Sequence, residues 1–368
     1  MKISGCRLCW ARIPLIKPYI LSFATITHID SIIVQVVVDE ISVGVGEAVA
    51  LPGYSHETKE SIVHDLQAVL EDLIGLCRNE IEPYLIERLP YSPFAVSAVL
   101  TAKEFAFREI AIPRDLNIPL IATISSEKNL DNFSRKAVKF YEHGFRTIKL
   151  KVGRNVEMDK KCALCLLDIL PEDCSIRIDA NQGFNLRQAS VFLDALTTHK
   201  NYRRIECFEQ PFSINAWDEF RSLTKSYSNT VPLMLDESIV DESDIQKAVE
   251  YGADMIKLKL FKHRGIKGLL ALVREANNMG LKIVFGNGVS SEIGNLAEAV
   301  AFNHGSCFVG AFEGNGFCKL AKHIVTEPIL METGGKLQWE INNDQHLMMK
   351  IDKNTIKVIM EVGNLHDY

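Results

Sequence analysis

The stretch Thr147-Ile148-Lys149-Leu150-Lys151 decides how this chain is read, because it is an apolar strand interrupted twice by lysine. Neighbouring strand residues point to opposite faces, so Lys149 and Lys151 share one face while Ile148 and Leu150 share the other. Burying charge is costly, and charge placed inside an apolar strand therefore signals function. The pattern recurs downstream. Ile178-Asp179, Phe208-Glu209 and Leu235-Asp236 each end a short apolar segment in an acid, and Ile256-Lys257-Leu258-Lys259-Leu260 repeats the paired lysines.

Working outward, eight short apolar segments are separated by amphipathic ones: residues 120–125, 147–152, 175–179, 204–208, 232–236, 255–260, 282–285 and 307–310. Strands alternating with helices at intervals of about 25–30 residues mark a parallel βα array, and eight units close a TIM-like barrel. The competing α/β architecture is a doubly wound open sheet. It calls for a glycine-rich turn opening a helix, and neither Gly44-Val45-Gly46 nor Gly286-Asn287-Gly288 has the G-x-G-x-x-G form. The glycine pairs are read as turn or close-packing residues. In a barrel, the charged strand ends at 151, 179, 209, 236 and 259 converge on the C-terminal mouth, where this fold places its chemistry.

Before the array lies a module of different pattern. Residues 1–50 read as three strands, Leu51-Pro52-Gly53-Tyr54-Ser55 as a loop, and 56–77 and 94–112 as helices. The expected organisation is an N-terminal α+β capping domain over 1–117, a barrel over 118–320, and a tail over 321–368 that returns to the first module. Residues 351–362 are strand-like. The 368 residues carry a net charge of −6 and no long basic run, so no nucleic-acid partner is expected. Nor is a membrane partner, because no stretch approaches the roughly 18 apolar residues of a span. Met1-Lys2-Ile3-Ser4-Gly5 opens a strand rather than a signal peptide, which points to the cytoplasm. Nine scattered cysteines, with Cys6/Cys9 and Cys162/Cys165 as the C-x-x-C pairs, fit free thiols better than a zinc site.

Asp179, Glu209 and Asp236 on successive strands would repel one another in a closed site. A hard dication resolves the conflict, and oxygen ligands suit Mg²⁺, with Mn²⁺ as a substitute. Each acid could instead cap a following helix, but that accounts for one or two of them rather than for three flanked by lysines. Lys149, Lys151, Lys257 and Lys259 are expected to face the interior, each pair lowering its members' pKa towards the range of a working base. Lys262 and His263 are expected at the rim. Lysines beside a dication suit abstraction of a proton next to a carboxylate, through an enediolate whose charge the metal stabilises.

With these pieces assembled, the chain resembles the enolase superfamily, and within it the muconate-lactonising subgroup. The resemblance rests on Thr147 to Gly153, Asp179-Ala180-Asn181-Gln182-Gly183, Phe208-Glu209-Gln210-Pro211, Leu235-Asp236-Glu237-Ser238 and Ile256-Lys257-Leu258-Lys259. It also includes Gly46-Glu47-Ala48 and Pro52-Gly53-Tyr54-Ser55 of the first module. It implies a (β/α)7β barrel under the cap, with Asp179, Glu209 and Asp236 as Mg²⁺ ligands. Lys151 would be the base on one face, Lys149 its tuner and a contact for the substrate carboxylate, and Lys259 the acid/base on the other face. Asn181 and Glu237 would support the ligands, and Tyr54 and Glu313 would touch a small carboxylate substrate. A homo-oligomer is implied as well.

Two stretches depart from the subgroup. Lys262-His263-Arg264-Gly265 stands where a Lys-x-Gly-Gly turn is common, and Ala311-Phe312-Glu313-Gly314-Asn315 stands where similar dipeptide epimerases carry Asp-x-Asp-Gly-Pro. The expected activity is racemisation or epimerisation of an amino-acid derivative or dipeptide. Alternatives are a muconate-type cycloisomerase, or a syn-dehydratase like o-succinylbenzoate synthase, on the same site. A metal-free lysine Schiff-base aldolase and a barrel without catalysis are the remaining readings.

Overall fold

The computed structural model describes residues 1–20, 25–50, 56–227, 229–326, 330–340 and 351–365. The chain opens with β1 (Ile3–Ile20), β2 (Thr25–Val38) and β3 (Ser42–Val49), an antiparallel meander. Its apolar run is continuous because the sheet is buried on both faces. Ile32, Val34, Val36 and Val38 pack with the helices α1 (Lys59–Val69), α2 (Arg78–Arg88) and α3 (Pro93–Ala106), while Ile33 joins the barrel core. Gly44 and Gly46 are close-packing residues: a Cβ on Gly46 would lie 2.0 Å from the Ala98 carbonyl oxygen of α3.

Two helix boundaries differ from the sequence pattern. The helix expected over 56–77 begins at Lys59, where Thr58 and Ser61 cap each other reciprocally, and it ends at Val69. The unanticipated α2 follows, its pattern obscured by the internal Pro83. α3 stops at Ala106 rather than at 112, because Arg108 turns into the left-handed region with φ 56°.

The strand β4 (Asp115–Pro119) precedes the barrel staves β5 (Ala122–Ser125), β6 (Thr147–Lys151), β7 (Ser175–Asp179), β8 (Ile205–Glu209), β9 (Leu233–Leu235), β10 (Met255–Lys259) and β11 (Lys282–Gly286). These seven form one parallel sheet in unbroken chain order. The order never reverses, so a doubly wound sheet is excluded. The segment expected as the eighth strand closes the ring through isolated parallel bridges, Phe308 to Ile283 and Phe312 to Leu120. Helices α4 (Leu130–Glu142), α5 (Val156–Ile169), α6 (Leu186–Thr197), α7 (Trp217–Tyr227), α8 (Glu242–Glu250), α9 (Gly265–Asn278) and α10 (Glu292–His304) follow the seven staves in turn. The result is a (β/α)7β barrel. Downstream, β12 (Met331–Thr333) pairs with β13 (Lys336–Glu340), which pairs with β4, and β14 (Lys357–Gly363) adds to the free edge of β1. Among the described residues no helix is long and apolar enough to cross a membrane.

Polar clamps join cap to barrel. Ser97 on α3 donates to the carbonyl of Leu260, next to Lys259, at 2.7 Å. Glu104 accepts from the backbone amides of Ile266 and Lys267 at 2.7 and 3.0 Å, capping α9. Glu47 on β3 accepts from the Ser31 hydroxyl and from the amides of Ser291 and Gly294 at 3.1 and 2.7 Å, at the start of α10. Replacing Glu47 with alanine orphans two amides at a helix N-terminus. We expect Glu47→Ala to lose about 1–3 kcal/mol of stability in urea unfolding, the usual cost of leaving such groups unpaired; an unchanged midpoint would show that the clamp is idle.

Candidate active site

The barrel orders its charges by strand position. β6, β7, β8, β9 and β10 are consecutive staves, and their C-terminal ends bring Lys151, Asp179, Glu209, Asp236 and Lys259 to one mouth. β6 and β10 are four positions apart in a ring of eight, so Lys151 and Lys259 rise from opposite walls, with the three acids on the staves between.

Side-chain contacts follow that order. Lys149 Nζ lies 2.7 Å from Asp179 Oδ2 and 2.9 Å from Glu209 Oε2. Lys151 Nζ donates to Asp179 Oδ2 at 2.6 Å and to Asn181 Oδ1 at 2.7 Å. Lys257 Nζ contacts Glu209 Oε1 closely and stands 3.7 Å from Asp236 Oδ2, and Lys259 Nζ stands 2.6 Å from Asp236 Oδ1. Lys149, Lys257, Lys259 and the three acids are all buried; Lys151 is the most open, with 21% of its side chain exposed. Gly286 makes this crowding possible. A Cβ there would lie 2.4 Å from Lys257 Cδ and 3.0 Å from Lys259 Cε.

For Lys149 and Lys259 the surrounding carboxylates, not the neighbouring lysine, set the charge. Burial disfavours the Lys149 ammonium, but Asp179, Glu209 and Glu313 outweigh it and hold its pKa well above the ordinary value. For Lys259 burial is likewise outweighed by Asp236 and Glu237, and its pKa is raised. Among the acids, burial opposes ionisation of all three. Lys149, Lys151 and Lys257 nevertheless hold Asp179 far below the usual range, and Lys259 with Lys257 holds Asp236 down to about 2. Glu209 is pushed up to about 8 by burial and by the charge of Asp179. Lys149 and Lys257 therefore do not fully offset burial and the neighbouring acid at Glu209.

Asn181 and Glu237 meet beside Lys151. Asn181, with φ 40°, donates from Nδ2 to Glu237 Oε1 at 3.0 Å while accepting from Lys151. Glu313 does not present a ready carboxylate to an incoming ammonium. Arg177 Nη1 lies 2.7 Å from its Oε1, Lys149 Nζ 3.2 Å from the same oxygen, and Lys257 Nζ 3.0 and 3.1 Å from its two oxygens. Tyr54 lies outside the described residues. His263, expected at the rim, is buried, and burial with the neighbouring cations pushes its pKa down to about 3.

Three contributors escaped the sequence reading. Arg177 lies two residues before Asp179 and so faces inward, a signal that strand periodicity contains. Glu206, which receives Arg177 Nη2 at 2.9 Å, was hidden by a β-bulge between Ile176/Ile205 and Arg177/Cys207 that breaks the alternation. Gln210 accepts at Oε1 from the amides of Asp236 and Ser238, at 2.9 and 3.2 Å, and so fixes the Asp236 backbone.

The fit to a metal was tested on this donor set. Among the described residues no three carboxylate, imidazole or thiol side chains already surround a metal position; ammonium groups bridge the trio instead. Yet Glu209 Oε2, buried and 2.9 Å from Lys149 Nζ, makes no hydrogen bond of proper geometry. Hard, buried carboxylate oxygens on adjacent staves suit a small dication. The residues fit Mg²⁺.

Comparisons with known proteins show the family. Residues 132–336 match the family model described as enolase C-terminal domain-like, and the chain belongs to that family. It is similar to N-succinyl-L-Arg/Lys racemase of Bacillus cereus, at 28% identity over 81% of this chain and 83% of the relative. Its fold matches muconate lactonizing enzyme from Pseudomonas putida, with TM-score 0.76, 25% identity, and coverage of 92% and 94% of the two chains. It also matches a dipeptide epimerase from Methylococcus capsulatus complexed with Mg and the dipeptide L-Arg-D-Lys, with TM-score 0.80, 24% identity, and coverage of 92% and 97%.

Gly286→Ala tests the packing of the lysines. The added methyl must displace the Lys257 and Lys259 stems, and a shift of about 1 Å at a reacting group costs about 10²-fold in rate. The variant is expected to keep its circular dichroism spectrum and lose about that much isomerase activity; full activity would show that the lysines need not be so placed.

Proposed function

We propose that this protein is a Mg²⁺-dependent racemase or epimerase that removes and returns the proton α to the carboxylate of an N-acylated amino acid. The observation that carries the reading is the placement of Lys151 and Lys259 on opposite barrel walls with three buried acids between them. Inversion at a carbon needs proton transfer at both faces, and this geometry supplies a nitrogen for each.

Asp179, Glu209 and Asp236 would hold the metal, which when bound supplies positive charge to stabilise an enediolate and offsets the acids that now pair with lysines. Lys151 takes the α-proton on one face, steadied by Asn181 Oδ1. Lys259 delivers a proton on the other face, and the reverse stereochemistry exchanges their roles. Lys149, buried at the base of the same wall, orients the substrate carboxylate and sets the field around Lys151. Ser97 of the cap fixes the backbone beyond Lys259.

The state of Glu313 favours an acylated α-nitrogen over the free ammonium of a dipeptide. Its carboxylate already serves three internal cations. The relative that acts on N-succinyl-Arg/Lys agrees with that preference. A cycloisomerase or dehydratase reading uses the same groups but needs only one lysine as a base.

The test is α-proton exchange in D₂O with Mg²⁺ and N-succinylamino acids of each configuration, followed by NMR. Deuterium is expected in both stereoisomers. Lys151→Ala and Lys259→Ala should each lower racemisation by about 10²–10⁴-fold, the usual worth of a placed acid or base. Each should abolish exchange from one configuration only, and EDTA should stop the reaction. No exchange with any N-acylamino acid or dipeptide would sink the reading. Activity that persists in EDTA and is trapped by borohydride would establish Schiff-base chemistry in its place.

A further inference from the structure

Lys257 is the ionic group at the mouth that the proposed reaction leaves without a task. It is 2% exposed, and its stem runs past Gly286, where no side chain fits. Its ammonium touches Glu209, stands 3.7 Å from Asp236, and lies 3.0 and 3.1 Å from the two oxygens of Glu313. It therefore bridges two of the proposed metal ligands to an acid outside the trio. Glu313 is held in place from below by Arg177, which is itself fixed by both oxygens of Glu206 at 2.9 and 3.3 Å.

We infer that Lys257 and Glu313 form an exchangeable internal counterion: the Lys257 ammonium neutralises Glu209 and Asp236 when no metal is present, and withdraws onto Glu313 when a divalent cation enters. The inference rests on the reading of Asp179, Glu209 and Asp236 as metal ligands. A lysine suits the task because its charge is compact and sits on a flexible stem, so a small swing exchanges one partner for another. Glu313 is the right receiver because both its oxygens are already within hydrogen-bonding distance of the nitrogen, so Lys257 keeps a counter-charge when it leaves Glu209 and Asp236. Buried acids left without a cation would repel one another and destabilise the barrel mouth. A fixed cation beside them would repel the metal. An exchangeable one avoids both. Glu313, on this account, holds the protein's own ammonium rather than a substrate's.

The test is calorimetric titration of metal-stripped, full-length protein with Mg²⁺ and Mn²⁺, together with thermal unfolding in EDTA. Lys257→Met should bind the dication about tenfold or more tightly than the wild type and unfold at a lower temperature in EDTA. Lys257→Gln gives a polar control should the methionine variant fold poorly. Glu313→Gln should bind about tenfold more weakly, because Lys257 and Lys149 then rest wholly on the ligands. In the double variant the Glu313→Gln penalty should shrink, the non-additivity of two groups acting through one contact. A wild type that binds metal with an affinity unchanged in Lys257→Met or Lys257→Gln overturns the inference and leaves the metal reading standing. A wild type that binds no dication, beside a Lys257 variant that does, also overturns it, since the ammonium would then be a fixed occupant and not an exchangeable one. Absence of binding in every variant overturns both.

Discussion

The mouth of this barrel is governed by the cost of burying several carboxylates on neighbouring staves. Asp179, Glu209 and Asp236 are almost fully enclosed, and charges in such surroundings persist only when each has a counter-charge. Lys149 and Lys257 bridge them in the order of the strands, and Lys151 and Lys259 close the two ends. Much else follows from that row of charges. Gly286 is bare because two lysine stems cross it, and Glu313, Arg177 and Glu206 continue the alternation of sign beneath.

The cap belongs to the same construction. Its sheet is apolar on both faces because it is packed between its own helices and the barrel. Several polar side chains cross the boundary, and three of them end at barrel turns beside the mouth: Glu47 at the start of α10, Ser97 behind Lys259, and Glu104 at the start of α9. The turn after β10 differs in sequence from the usual Lys-x-Gly-Gly. The structure accommodates the change by burying His263 and by turning Arg264 into the left-handed region with φ 50°.

The barrel was legible because its staves are short, apolar and separated by amphipathic helices, and because polar residues stand out at their C-terminal ends. The same period-two argument aligned Lys149 with Lys151 and Lys257 with Lys259. It failed at Glu206, where a bulge reverses the face; the eighth segment closes the ring as expected, though by isolated bridges. Charge state was the least legible property. Adjacent lysines in a sequence suggest mutual repulsion, whereas in the folded chain carboxylates meet them, and the pKa values of Lys149 and Lys259 are raised. Glu313 shows the same limit: the sequence gives an acid near the mouth but not the three cations that already occupy it.

The central claim is that one dication is shared by Asp179, Glu209 and Asp236, between lysines on facing walls. A crystal soaked in Mn²⁺ and measured for anomalous scattering tests it directly. The account predicts a single strong peak within coordinating distance of oxygens from all three acids, with the Lys257 nitrogen displaced from Glu209. A map without that peak, in which the lysines still bridge the acids at saturating Mn²⁺, would contradict it.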